Sequence, residues 1–479
     1  MPIEATSRHL PVRPCGRPAG REGRAEIEAK RRPVRASGSA NGCSPPDFGE
    51  LSRTAAAPSS IRICGSEDSN VDWHERKGTI VLESLKAAAG KLGKPAWRPM
   101  LRRLAELHEA NIHPPRGPLP HPWENLGPGY CYGPAFGHWD IAHIVLDVVE
   151  DEPAHARNQL ANYLATQDVS GVFPHITWMH EKVHWDVDVS HPQVWPAAAQ
   201  EYLDATGDPE MLRAAYDGLS RMLAWLESHR AVEGGGFYYE DILRPRWESG
   251  VDEGVRFLKQ SPAPIACVDA TSHAFLMYDH AARWAAALNC DATRQTAKAE
   301  DLRRFIQARL FDEQTGFFHD APAVGGPASR AMAFEGVWPV VVGAAAEQQA
   351  ARVIDENLLN PKRFFTPHPI STVAAEDPRF ELRMWRGPAW NSMTHWAARG
   401  CVRYGRPDAA AMLLEKALDA TAEQFERTGK IWEFHHPHLG TQEEVRRKPG
   451  RPQNTPCTDY LGHNPLIAMA RLWEALRGE

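Results

Sequence analysis

The chain has 479 residues, 43% of them hydrophobic and 24% charged, which is the balance of a globular protein rather than of a fibrous or low-complexity one. A formal net charge of −7 gives no electrostatic footprint for nucleic acid. No apolar run approaches the ~20 residues that a membrane-crossing helix needs, so neither nucleic acid nor membrane is expected as a partner.

Residues 1–75 are rich in Arg, Pro, Ser and Gly, with Phe48 and Trp73 as their only aromatics. Such a segment buries too little apolar surface to offset its ordering entropy, so it reads as a disordered tail ahead of one domain over 76–479. Its Arg content suits a transit peptide, but Glu4, Glu22, Glu26 and Glu28 argue against one. From about residue 78 helical periodicity takes over. It predicts helices over 79–92, 98–111, 138–149, 153–167, 192–206, 208–229, 269–288, 293–310, 331–343, 346–358, 388–404, 407–426 and 464–477. Asp208 is placed to cap one of them with Pro209 as its first residue, Asp408 opens another after Arg406-Pro407, and Pro388 starts a third. Short strand-like pieces, Gly236-Phe237-Tyr238-Tyr239 and Gly316-Phe317-Phe318-His319, fall in the connections. There is no βαβ rhythm, no glycine fingerprint for nucleotides and no repeat of fixed length. The expected class is all-α, an (α/α)6 barrel of helical hairpins whose long aromatic connections build a site at one end.

Eight cysteines, at 15, 43, 64, 131, 267, 290, 401 and 457, are scattered singly. With no CxxC pair and no zinc spacing, they read as free thiols of a cytoplasmic protein, and neither a metal nor another cofactor is expected. Sixteen Trp against ten Tyr is the reverse of common usage. Several Trp adjoin Asp, Glu, Arg or Pro: Trp123, Trp139, Trp185, Trp247, Trp385 and Trp432. Indole faces stack on sugar rings and charged groups bond hydroxyls, so this pattern points to a carbohydrate cleft.

Four segments carry the chemistry. His138-Trp139-Asp140 opens a helix after the aromatic loop Tyr130-Cys131-Tyr132, and sets a carboxylate beside a stacking face. In Trp247-Glu248-Ser249-Gly250-Val251-Asp252 a glycine turn presents Asp252, or Glu248, as a general acid held among apolar groups; pairing with Arg246 or Arg256 is the bland alternative. Glu433 stands between Trp432 and Phe434 with no Lys or Arg within two positions, which suits a general base acting on water. His435, His436 and His438 follow it, but no second ligand cluster accompanies them. Arg386 in Trp385-Arg386-Gly387-Pro388 offers a forked donor to a sugar hydroxyl or a substrate carboxylate.

Residues from about 97 to 477 resemble the mannosylglycerate-hydrolase-like glycosidases of glycoside hydrolase family 63, within the wider set of (α/α)6-barrel enzymes that includes trehalase. The matching pieces come in the family's order: Gly137-His138-Trp139-Asp140, Gly171-Val172-Phe173-Pro174-His175, Val194-Trp195-Pro196, Trp247 to Asp252, Trp385-Arg386-Gly387-Pro388 and Trp432-Glu433. The resemblance implies an inverting α-glycosidase acting on a small α-glucoside or α-mannoside, with Asp252 as general acid and Glu433 as general base. It puts Asp140 and Arg386 at substrate-binding positions. Tyr132, Trp139, His191, Gln193, Trp195, Trp247, Glu248, Trp385 and Trp432 complete the expected sugar contacts. The chain departs from the family's usual pattern at Ser190-His191-Pro192-Gln193, at Glu253-Gly254-Val255-Arg256 and at Phe434-His435-His436, all around the expected pocket. Two other readings remain open. One is a sugar isomerase or lyase on the same barrel using His175, His191, His435 and His436 as proton carriers. The other is a non-catalytic sugar-binding protein.

Overall fold

A computed structural model describes residues 80–448 and 454–478; the tail expected over 1–75 lies outside them. Among the described residues the fold is mostly helical. The helices are α1 Glu83–Ala89, α2 Arg98–Ala110, α3 Asp140–Val148, α4 Pro153–Ala165, α5 Trp195–Thr206, α6 Pro209–His229 and α7 Val268–Ala287. There follow α8 Thr293–Phe305, α9 Trp338–Val342, α10 Glu347–Arg352, α11 Asn391–Arg403, α12 Pro407–Thr428 and α13 Leu466–Arg477. Three antiparallel ribbons join them: β1 Ile112–His113 with β2 Trp123–Glu124, β3 Ala135–Gly137 with β4 Ile176–Trp178, and β5 Phe311–Asp312 with β6 Phe317–Phe318. No helix among the described residues is long and apolar enough to cross a membrane.

Packing follows chain order. α3 lies against α5, α5 against α7, α7 against α9 and α9 against α11; α13 returns to α3, and α12 spans α11 and α13. α4 leans on α3 and α5, α6 on α5 and α7, and α8 on α7. Burial separates the two sets. Every residue of α3 is buried, whereas α8 buries only Ala299 and Leu302. A helix apolar all round belongs inside, and one polar on most faces belongs at the surface.

The start signals divide into those that act as expected and those that neighbours override. Asp208 caps α6, its carboxylate accepting from the Glu210 and Met211 amides at 3.0 Å. α12 begins at Pro407, as expected, and the Asp408 carboxylate in its first turn is taken by Arg406 at 2.9 Å. α11 begins at Asn391 rather than at Pro388, because Ala389 is bridged to Ser371 on one side and His435 on the other, which requires extended backbone. The helix expected over 331–343 shrinks to α9 and a 3-10 turn, Phe334–Val337, for the same reason: Ala333 is bridged to Val373.

Candidate active site

One cavity encloses about 530 Å³. Every residue that lines it comes from a connection leading into an odd-numbered helix, or from the first residue of that helix. Tyr130, Tyr132, Trp139 and Asp140 lead into α3; His175, Trp178 and His191 into α5; Trp247, Gly250, Asp252 and Glu253 into α7. Met384, Trp385 and Trp390 lead into α11, and Glu433, Arg447, Lys448, Tyr460 and His463 into α13. Segments far apart in sequence thus converge because successive odd-numbered helices pack side by side and start at the same end.

Aromatic rings form one wall. Trp139 stacks on Trp385 at 5.6 Å between ring centroids, and Trp385 stacks on Trp390 at 3.7 Å. His463 meets Trp139 and Trp390 edge-on, at 4.8 Å from each. The wall gives the cavity an aromatic surface with polar groups at its edges.

Asp140 is one such group. Its Oδ1 accepts from the Tyr460 hydroxyl at 2.6 Å, and His463 Nε2 lies 3.8 Å away. A Cβ at Gly137 or Gly462 would strike the carboxylate, so both glycines are needed to bring backbone this close. Burial pushes the Asp140 carboxyl up to about 6, against the pull of the Tyr460 hydrogen bond.

Asp252 is delivered by a loop tied down with two other carboxylates. Asp241 accepts from the amides of Arg246, Trp247 and Ser249 at 2.7–2.9 Å. Glu248 is wholly buried and accepts from Arg230 Nε at 2.8 and 3.0 Å and from the Glu240 amide at 2.8 Å. Gly250 has φ +68°, and the Trp139 ring occupies the place a Cβ would take. Three further residues of the cavity wall, Trp247, Glu253 and Met384, hold positive φ (59°, 56° and 44°) without being glycine. That strain, concentrated at one cavity, is the pattern of a functional site. Asp252 itself is half-buried. Its Oδ2 meets Lys448 Nζ at 2.5 Å, so it lies beside a cation rather than among purely apolar groups. Neither Arg246 nor Arg256 takes it: Arg246 pairs with Asp188, and Arg256 with Asp269, Asp320 and Glu335. The Lys448 ammonium is desolvated by burial, but the Asp252 charge more than offsets this and holds its pKa above the usual lysine value.

Glu433 lies on an extended stretch in which Trp432 is bridged to Thr458 and His435 to Ala389. It is 2% exposed. Arg447 grips it with Nε at 2.9 Å from Oε2 and Nη2 at 3.1 Å from Oε1, and the Cys457 amide adds a donor at 3.0 Å to Oε2. Arg447 also donates to the Tyr132 hydroxyl at 2.7 Å.

Of the positions singled out in the sequence, Tyr132, Trp139, Asp140, His191, Trp247, Trp385, Asp252 and Glu433 line this one cavity. Five do not, and each has a local partner. Glu248 braces Arg230. The Gln193 side-chain oxygen accepts from Tyr163 and Trp195, which pack in the helical core. Trp432 donates to Thr428 Oγ1 at 3.1 Å. Arg386 bonds the Glu253 carbonyl at 2.7 Å and Glu381 at 3.1 Å, fastening the loop behind Asp252 rather than facing the cavity. Arg447, Lys448, Tyr460 and His463 escaped the sequence reading. Arg446-Arg447-Lys448 looks like a solvated charge run, and its only signal is that Glu433 lacks a local cation and must find one elsewhere. Among the described residues the one grouping of metal-ligand type, Cys267, Asp269 and Asp320, is entered by the Arg256 guanidinium, which pairs with both carboxylates.

Residues 134–454 match the model of the mannosylglycerate hydrolase MGH1-like glycoside hydrolase domain. Among solved structures, the mannosylglycerate hydrolase of Thermus thermophilus in complex with glucose superposes with a TM-score of 0.60 at 19% identity, over 79% of this chain and 100% of that one. The same enzyme with Tris and D-glycerate gives 0.58 at 19% identity over 79% and 100%. The neutral trehalase of Saccharomyces cerevisiae gives 0.55 at 14% identity over 71% of each chain. At these identities the structures speak for the fold, and the family model, which covers more than half of the chain, speaks for descent. The chain belongs to the mannosylglycerate hydrolase MGH1-like glycoside hydrolases.

Proposed function

We propose that this protein is an inverting α-glycosidase for a small α-glucoside or α-mannoside, built as an (α/α)6 barrel, with Asp252 as general acid and Glu433 as general base. The observation that carries the reading is that both carboxylates, from connections about 180 residues apart in sequence, line one cavity with an aromatic wall. The ring of odd-numbered helices, with even-numbered ones laid against them, supports the barrel.

The roles follow from the surroundings. A base must stay ionised and fixed, and Glu433 is clamped by Arg447 and the Cys457 amide. Its carboxylate takes a proton from water as the oxygen of that water attacks the anomeric carbon. The acid donates a proton to the leaving glycosidic oxygen, so Asp252 has to exchange protons with its surroundings. It is half-buried and held by a single flexible lysine, and sugar entry into the cavity displaces Lys448 from it. Asp140, with Tyr460, accepts from sugar hydroxyls. Solvent then returns the proton from Glu433 to Asp252, and the cycle closes. His175 and His191 also line the cavity, but burial holds both below the usual histidine range, so they serve as neutral hydrogen-bonding groups rather than proton carriers.

The test is to incubate the protein with α-linked glucosides and mannosides and follow the anomeric protons by NMR in ¹⁸O-labelled water. A β-sugar as first product, carrying the label at C1, is expected. An α-sugar as first product overturns inversion, and an isomerised sugar without the label favours the isomerase reading.

A further inference from the structure

The proposed chemistry leaves one pair of reactive groups beside the base unused. Cys131 lies between Tyr130 and Tyr132, both on the cavity wall, and is half-buried. Cys457 is buried, and its amide is the one that donates to Glu433 Oε2. The two loops run alongside each other, with Gly129 bridged to Thr458 so closely that a Cβ on Gly129 would strike the Thr458 carbonyl. The Cys131 amide points at Cys457 Sγ from 3.4 Å, which sets the two thiols beside each other. The other described cysteines differ: Cys267 and Cys401 are buried, and Cys290 faces Arg213.

We propose that Cys131 and Cys457 are a redox-modification site, closing reversibly to a disulfide under hydrogen peroxide and disturbing the Glu433 cradle through the Cys457 backbone. For its effect on turnover, this rests on Glu433 being the base.

The pair is poised for that chemistry. Hydrogen bonding from the Cys457 thiol, helped by Arg447, lowers the Cys131 thiol, while the same bond and burial raise Cys457. Cys131 is therefore the nucleophile and Cys457 the resolving thiol. The Cys131 thiolate attacks one peroxide oxygen, the O–O bond breaks, and hydroxide leaves, to be protonated to water. Cys131 is now a sulfenic acid. The Cys457 sulfur then attacks the Cys131 sulfur, the S–O bond breaks, and the Cys457 proton leaves with the oxygen as a second water. Two thiols lose two electrons and two protons, and one peroxide becomes two waters. A dithiol reverses the change. Closing this contact to a sulfur–sulfur bond of about 2 Å draws the loops together. The Cys457 amide moves relative to Glu433, and Tyr132 moves relative to Arg447. A misplacement of about 1 Å in such a cradle costs roughly 10²-fold in rate.

The experiment uses the full chain, reduced and then exposed to graded hydrogen peroxide, with free thiols blocked by N-ethylmaleimide. Peptide mass mapping is expected to find the 131–457 link, two hydrogens lighter than the reduced pair, ahead of any other pairing among the eight cysteines. Turnover of the glycoside should fall about 10²-fold and return with dithiothreitol, while Cys131→Ser keeps its turnover in peroxide. Absence of the linked peptide overturns the proposal, as does its formation with turnover unchanged. Error in the base assignment would show separately, as turnover retained by reduced Glu433→Gln, and leaves the mass map untouched.

Discussion

Glu433 and Asp252 are each held by a cation, yet in opposite ways. Glu433 is gripped through both oxygens by Arg447, a planar fork that matches a carboxylate and never loses its charge, and a backbone amide adds a third donor. Asp252 has one contact with the end of a flexible lysine, on a loop whose rigidity comes from Asp241 and Glu248 rather than from Asp252 itself. The first arrangement fixes charge and position. The second fixes the backbone and leaves the side chain free to change partner and proton. Under the proposed mechanism the first arrangement suits the base and the second the acid.

The largest effect expected is on turnover. Glu433→Gln and Asp252→Asn should each lower kcat by about 10²–10⁴-fold while folding stays intact, as checked by circular dichroism and steady-state kinetics. They should differ with anion rescue. An added small carboxylate or azide should restore part of the rate only where a base is missing, in a Glu433→Ala form. Equal rescue at Asp252 would erase the distinction.

Arg447→Met sharpens the structural half of the comparison. It leaves Glu433 buried with only the Cys457 amide, and breaking a buried pair from one side costs about 3–5 kcal/mol. Denaturant unfolding should show that loss, and the Glu433→Gln, Arg447→Met double variant should recover part of it.

What the sequence disclosed and what it hid divide along the same line. Helices follow from local periodicity and from start signals such as Asp208-Pro209, so all thirteen expected segments have a helical counterpart among the described residues. Asp140, Asp252 and Glu433 could be singled out because Asp140 and Glu433 each adjoin a tryptophan and Asp252 follows the Gly250 turn by two residues. Arg447, Lys448, Tyr460 and His463 were illegible because nothing local distinguishes them; they matter only through what the fold brings across to them. Glu248 erred in the other direction. It shares the motif of Asp252, but four residues earlier the loop turns inward to Arg230, and no spacing rule says which carboxylate faces the cavity. Arg386 likewise looks like a ligand grip and is spent on the Glu253 carbonyl.

Asp140 supplies a third carboxylate, held by a neutral partner, and so a test with an intermediate effect. Its folded pKa, about 6, lies above its ordinary value of 3.8. Between those values the native state holds more protons than the unfolded one, so stability falls as pH rises through this window and stays lower above it. Two pKa units correspond to roughly 2–3 kcal/mol. Asp140→Asn should therefore be the more stable form at pH 7, with the gap closing towards pH 4, in paired unfolding curves. It should bind sugar more weakly over the same range. A gap that widens on acidification would place Asp140 in a favourable charged contact instead.

Lys448→Met is expected to do least to stability and so to test the looser half of the comparison most directly. The pair keeps some access to solvent, so removing Lys448 should cost less than the ~3–5 kcal/mol of breaking a fully buried pair. If the lysine only tethers Asp252 until sugar displaces it, its loss removes a competitor for the carboxyl. KM should then fall or hold, while kcat stays within about tenfold of the parent. A destabilisation as large as that of Arg447→Met would show that the two cations do the same job. A collapse of kcat with KM unchanged would show that Lys448 acts in the transition state itself. Either result would end the picture of a clamped base and a tethered acid, because the contrast depends on Lys448 being dispensable once the substrate has entered.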